Sequence, residues 1–129
     1  MVNSRNKGAS FEREVAKLLE DELGIKFKRD LEQYRASDHG DLIANDPNFP
    51  LVIECKRYAS GVGCRPEWWR QASAAAQALG KQPCVVYRYD RRPIRAVLGL
   101  SFILDDPHDQ TIEISIETLC YILREKVST

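Results

Sequence analysis

Four residues in the first half of the chain are of types that could hold a divalent cation and cut a phosphodiester bond. The run Leu51-Val52-Ile53-Glu54-Cys55-Lys56 is β-rich and flanked by turn chemistry. Alternation along a strand puts Glu54 and Lys56 on one face, about 7 Å apart. Asp41 opens a second short apolar run, Leu42-Ile43-Ala44, directly after Gly40. A hairpin joining these two strands would bring Asp41 beside Glu54. Two carboxylates, a backbone carbonyl and waters make a hard-oxygen site suited to Mg²⁺ or Mn²⁺. A lysine beside such a metal can hold or help activate an attacking water.

The fourth residue is Glu12. Phe11, Val15, Leu18, Leu19 and Leu23 recur at helical spacing, with Gly24 as a stop. At 100° per residue, Glu12 falls between Leu19 and Leu23, within the face that packs on the domain. A carboxylate there calls for a cation, a donor or a metal. The blander reading is a first-turn glutamate that caps the helix and stays wet. Glu22 also breaks the stripe, so the wheel alone favours the bland reading. Glu-x-Lys is likewise weak by itself. With 10 Glu and 7 Lys in 129 residues, chance supplies about half an occurrence per chain, and a surface salt bridge would explain it.

The elements that must position these groups follow from periodicity and turn signals. A helix is expected over 10–23, and short strands over 25–29, 41–44 and 51–56. Residues 32–40 and 59–65 read as loops, and 1–8 as polar and loose. Pro66 suits the first turn of a helix running through Trp68, Ala72, Ala75, Ala76 and Leu79 to Gly80. Strands follow at 83–89 and 94–98, then an acidic loop over 105–109 and a closing helix. The order α-β-β-β-α-β-β-α is that of a single α/β domain, a mixed sheet with helices on its faces.

Length and composition agree. A chain of 129 residues is about one domain, and 43% hydrophobic with 29% charged residues is ordinary for a globular protein. No apolar stretch approaches the roughly 20 residues a bilayer requires, and the N-terminus has no apolar signal core. The four cysteines form no C-x-x-C pair, so neither a zinc site nor a disulfide scaffold is indicated. They read as reduced cytoplasmic thiols, two of them in the core. Net charge is zero, yet residues 53–95 carry nine basic and three acidic side chains. That local excess is what a polyanion would meet. The bland alternative is a solvated face whose charges balance in three dimensions.

Taken together, Lys7-Gly8-Ala9 before Phe11-Glu12-Arg13-Glu14, a basic strand ending at Arg29, Asp41-Leu42-Ile43 and Ile53-Glu54-Cys55-Lys56 occur in the order of a known family. The chain resembles the PD-(D/E)xK nuclease superfamily, and within it the archaeal-type Holliday junction resolvases, whose relatives also occur in phages. The resemblance covers about residues 7–98. It implies a restriction-endonuclease-like fold and a homodimeric, Mg²⁺-dependent endonuclease that nicks branched double-stranded DNA, with Mn²⁺ as substitute. By the match, Glu12, Asp41 and Glu54, with the Cys55 carbonyl, would hold the metal, and Lys56 would be the catalytic lysine. Arg13 and Arg29 match basic positions that support the site and the phosphate backbone.

Around that set, Lys26, Lys28, Arg35, Arg57, Arg65 and Arg70 are candidates for phosphate contacts, with Arg91, Arg92 and Arg95 behind them. Gln71 and His39 are possible auxiliaries, each as readily a solvated side chain. Of Trp68 and Trp69, one belongs to the core by spacing, and the other could stack on a base or fill a dimer contact. Gly40 stands where the superfamily's name places proline, and the tail beyond about 104 has no counterpart in the resemblance. Two other readings remain open. One is a nicking or restriction-like endonuclease on duplex, forked or flap DNA. The other is a binding module that keeps the fold without the chemistry. The expected location is the cytoplasm, or a host's cytoplasm for a phage protein.

Overall fold

In the computed structural model, which describes residues 4–29 and 42–127, the expected alternation becomes a six-stranded sheet with helices on both faces. Helix α1 spans Ser4–Leu23, followed by strands β1 (Phe27–Arg29), β2 (Leu42–Ala44) and β3 (Leu51–Tyr58). Helix α2 (Pro66–Leu79) crosses over to β4 (Gln82–Tyr89). Strand β5 (Arg95–Gly99), the short α3 (Leu100–Leu104), β6 (Thr111–Ser115) and α4 (Ile116–Val127) complete the chain. The strands lie in sequence order across the sheet, β1 to β6. Only β3 and β4 are parallel, as the helical crossover between them requires; every other neighbour is antiparallel.

The two faces of the sheet carry two cores. On one, Phe11, Val15 and Leu19 of α1 and Leu119 and Leu123 of α4 pack with Ile53, Cys55, Cys84, Val86, Ala96 and Leu98. Each such large side chain contributes about 1.5–3 kcal/mol by leaving water. On the other, Trp68 and Ala72 cover Val85, Tyr87, Tyr89 and Val97, while Ala75 and Ala76 cover Val52. The alanines let α2 approach the sheet closely. Because side chains alternate, Glu54, Lys56 and Tyr58 share this second face with Val52.

Three expectations need correction. Residues 4–8, read as loose, belong to α1. The extension is polar, so no apolar periodicity announced it, but neither does any proline interrupt it. The tail over 105–129, read as an acidic loop and a closing helix, also holds β6, and a one-turn helix precedes it. Thr111-Ile112-Glu113-Ile114-Ser115 has the two-residue alternation of an edge strand. It pairs with β5 over its whole length. Strand β1 begins at Phe27 rather than residue 25.

The loop over 59–65, between β3 and α2, is pinned at several points. The Tyr89 hydroxyl donates to the Gly63 carbonyl at 2.6 Å, and Gly63 takes φ +65°, where a side chain would be strained. A Cβ at Gly61 would lie 2.5 Å from the Tyr89 ring. That ring is buried and its hydroxyl is committed, so it cannot swing aside. Gly61→Ala is therefore expected to cost about 1–3 kcal/mol, as overpacking does, read as a lowered melting temperature.

Candidate active site

The site grows from one row of the sheet. Arg29 pairs with Leu42, and Leu42 pairs with Ile53. Glu12 is reached from Arg29: its Nε donates to Glu12 Oε1 at 3.1 Å. Glu12 is only 5% exposed and Glu54, the next residue after Ile53, only 6%. These are the two buried acidic residues among those described. The wheel's bland reading of Glu12, a wet capping group, is thus not what the fold builds. The carboxylate lies in the packed face beside Phe11 and Val15, against the end of β1.

Lys56 follows Glu54 on the same face and is half-buried. Among the described residues, β2 pairs with β3 at Leu42 and Ile53. The Glu12–Arg29 pair joins β1 at the row that ends on Ile53, the residue before Glu54. Glu12 and Arg29 thus meet on the α1 face beside the row Arg29–Leu42–Ile53, while Glu54 and Lys56 follow Ile53 along β3 on the α2 face.

Asp41, His39 and Arg35 lie outside the described residues. Asp41 is covalently joined to Leu42, whose partner Ile53 precedes Glu54. Among the described residues, no three His, Cys, Asp or Glu side chains form a metal-binding group. The described donors are the Glu12 and Glu54 carboxylates and the Cys55 carbonyl, all hard oxygens.

The basic candidates divide. Arg13, Lys17, Lys28 and Arg29, with Glu20 and Phe27, line a groove of about 630 Å³ between α1 and β1, beside the Glu12–Arg29 pair. Lys26 is exposed nearby. Arg57 is held by Asp90 at 2.9 Å, Arg88 by Glu14 at 3.1 Å and Arg95 by Glu113 at 3.0 Å. Their charge is largely spent inside the protein. Arg91 and Arg92 are exposed at the β4–β5 turn, and Arg70 points away from the sheet on the outer face of α2. Gln71 is exposed on the flank of α2 opposite Trp69, which lies against Gly99 of β5; that flank faces β3. Trp68 is core, and Trp69 is partly buried.

Sequence reasoning missed Tyr58. Its ring stacks on Trp68 at 5.4 Å and 10°, and the Arg65 guanidinium lies 4.6 Å from its centre. The signal was there: Tyr58 continues the Glu54, Lys56 alternation by one step. A hollow of about 840 Å³ lies elsewhere, lined by Asp105, Asp106, His108 and Asp109. Those carboxylates would repel a polyanion.

Three of the four thiols are held protonated. Burial and the nearby Glu113 and Glu67 carboxylates push Cys64 up to about 11, and burial pushes Cys120 up to about 11 and Cys84 higher still. At pH 8 these remain protonated and poor as nucleophiles or metal ligands. Cys64, the most accessible, is expected to react with iodoacetamide about a hundredfold more slowly than a free cysteine peptide.

A mixed sheet carrying a buried helix glutamate and a Glu-x-Lys strand defines a nuclease of the PD-(D/E)xK type. Residues 3–127 match the model of the family described as "phage putative PDDEXK endonuclease", and the chain belongs to that family. Its fold is similar to that of Hjc, a Holliday junction resolvase from the archaeal hyperthermophile Archaeoglobus fulgidus. That likeness has a TM-score of 0.54 and 18% identity, over 86% of this chain and 85% of the other. No curated protein matches. No helix among the described residues is long and apolar enough to cross a membrane.

Proposed function

We propose that the protein is a Mg²⁺-dependent, structure-selective endodeoxyribonuclease that nicks four-way DNA junctions as a homodimer. The observation that carries the reading is the burial of Glu12 and Glu54, with Lys56 following Glu54 along β3. Buried carboxylates need cationic compensation. Arg29 supplies part of it to Glu12.

Glu12, Glu54 and the Cys55 carbonyl, with Asp41, are the groups that would hold the cation. Asp41 adjoins Leu42 in the chain, and the strand partner of Leu42, Ile53, adjoins Glu54. Oxygen donors of this kind suit Mg²⁺, with Mn²⁺ as substitute. When bound, the cation polarises the phosphate and stabilises charge on the leaving oxygen. Lys56 positions the attacking water and offers its ammonium to the phosphate. Arg29 orients Glu12. Arg13 and Lys28, in the groove beside them, take the flanking phosphates, which fixes register without reading sequence.

Two supports favour the junction over other branched or linear DNA: the likeness to a junction resolvase fold, and symmetry. A four-way junction is two-fold symmetric, so a symmetric dimer would present two sites to opposing strands.

The test is cleavage of a labelled four-way junction beside its matching linear duplex, with Mg²⁺ and with EDTA. Paired symmetric nicks in the junction alone, and only with metal, are expected. Equal cleavage of both would leave a nicking or restriction-like endonuclease. Binding without cleavage in Mg²⁺ or Mn²⁺ would leave a binding module. In the same assay, junction affinity is expected to fall by about 10–10³ between 50 and 200 mM salt, as it does for proteins that make several phosphate contacts. A flat response would remove the Arg13–Lys28 groove from the DNA surface.

A further inference from the structure

Val62 is 98% exposed, at the tip of the loop between β3 and α2. A single exposed apolar residue ordinarily means nothing. Here three further observations give it a setting. The loop is rigid: Gly61 is pressed on the Tyr89 ring, Gly63 accepts the Tyr89 hydroxyl, and the Asp90 amide donates to the Tyr58 carbonyl at 3.1 Å. Its base is a stack, with the Arg65 guanidinium 4.6 Å from the Tyr58 ring and 5.1 Å from the Trp68 ring. And it leaves β3 two residues beyond Lys56, at the reactive end of the sheet, with exposed Arg91 and Arg92 on the adjoining turn.

A rigid loop that holds a stiff β-branched side chain fully in water, with Arg65 at its base and Arg91 and Arg92 on the adjoining turn, is suited to a partner that is both charged and stacked. We infer that this loop is a preformed DNA-reading element, in which Val62 inserts at an unstacked base step while Arg65, fixed over Tyr58 and Trp68, takes the neighbouring phosphate. The inference rests on the nuclease reading above and adds to it how a distorted or branched site is distinguished from a uniform duplex. Apolar wedges are a recurrent means of engaging bent or kinked DNA. Unstacking is least costly where bases are already unpaired or strained, as at a branch point. Preorganisation by Tyr89 and by the Tyr58–Trp68 stack means that no ordering cost falls on binding. Tyr58 is thereby a positioning residue, acting through Arg65.

The experiment compares the full-length protein with Val62→Ser, using a four-way junction and its matching duplex that carry 2-aminopurine at the crossover position. Fluorescence and affinity are read in Ca²⁺, and cleavage in Mg²⁺. Because Val62 contacts solvent only, the variant is expected to keep the parent's melting temperature. The parent should show a fluorescence rise on the junction. Val62→Ser should lose most of it and bind the junction about tenfold more weakly, a change of about 1.4 kcal/mol, with duplex affinity unchanged. Arg65→Gln should instead weaken both substrates and lower the slope of affinity against salt by about one.

If Val62→Ser matches the parent in fluorescence and junction affinity while the parent still binds and cuts, the inference fails and the nuclease reading stands. If the parent binds no DNA, both fail. If Val62→Ser alters only the sedimentation of the free protein, the loop is a protein contact and the inference is overturned.

Discussion

Lys56→Ala is expected to lower cleavage by about 10²–10⁴-fold, the range that a positioned proton-transfer or water-holding group contributes. The lysine is half-buried and lies one alternation beyond Glu54, so its head group is the described cation nearest along the strand to the buried carboxylate. Its loss should leave the fold intact, because Val52, Ile53 and Cys55 carry the packing of β3 on both faces. Lys56→Met, which keeps the aliphatic stem, controls for lost packing. Both variants should melt within a few degrees of the parent and bind junction DNA within about threefold, since one phosphate contact among several supplies little of the affinity. Cleavage by either variant within tenfold of the parent's rate would remove Lys56 from the chemistry. A collapse of binding along with cleavage would make it an anchor instead.

How much of this was legible before any coordinates can be judged from particular residues. The apolar stripe of α1, the strand 51–56 and the alanine face of α2 were readable because each has one strong period. The bounds of α2, Pro66 and Leu79, are those that the proline and the following glycine marked. Strand β6 was not read, although Ile112 and Ile114 alternate, because it is short and follows a polar, acidic loop. Glu12 was ambiguous for a physical reason. A helical wheel gives direction but not depth, and only the packing of α1 on β1 and β3 decides whether a flank position is wet. Its partner Arg29 is 17 residues away, a distance that no local pattern reports.

The basic middle third was legible as charge but not as surface. Composition counts Arg57, Arg88 and Arg95 alongside Arg91 and Arg92, whereas the fold gives the first three carboxylate partners. What remains of the basic third for a polyanion is a smaller set, Arg91 and Arg92 at the β4–β5 turn with Arg65 and Arg70, to which the α1–β1 groove adds Arg13 and Lys28 from outside that third. A running count of charge therefore overstates the basic surface, because pairing across strands cannot be read from it.

Glu12→Gln is expected to reduce cleavage on the order of a thousandfold, above the roughly 10–100-fold that loss of an outer-shell partner costs a metal site. Stability should change far less. The amide is nearly isosteric and can still accept from Arg29 Nε, so the hydrogen bond at 3.1 Å survives while the charge is lost. Arg29→Met makes the complementary change. It leaves the Glu12 carboxylate buried without its guanidinium. The expected cost is about 1–3 kcal/mol, less than the 3–5 of a fully buried pair because the Arg29 side chain is 31% exposed. The two variants separate the roles. If Glu12 only anchors the helix to β1, Arg29→Met should lower the melting temperature and Glu12→Gln should leave cleavage near the parent's rate. If Glu12 serves the reaction, Glu12→Gln should lose cleavage at nearly unchanged stability. Added Mn²⁺, which binds oxygen donors more tightly than Mg²⁺, should then restore part of it. Full cleavage by Glu12→Gln in Mg²⁺ would remove Glu12 from the metal-holding set and leave Glu54, Asp41 and the Cys55 carbonyl to carry it.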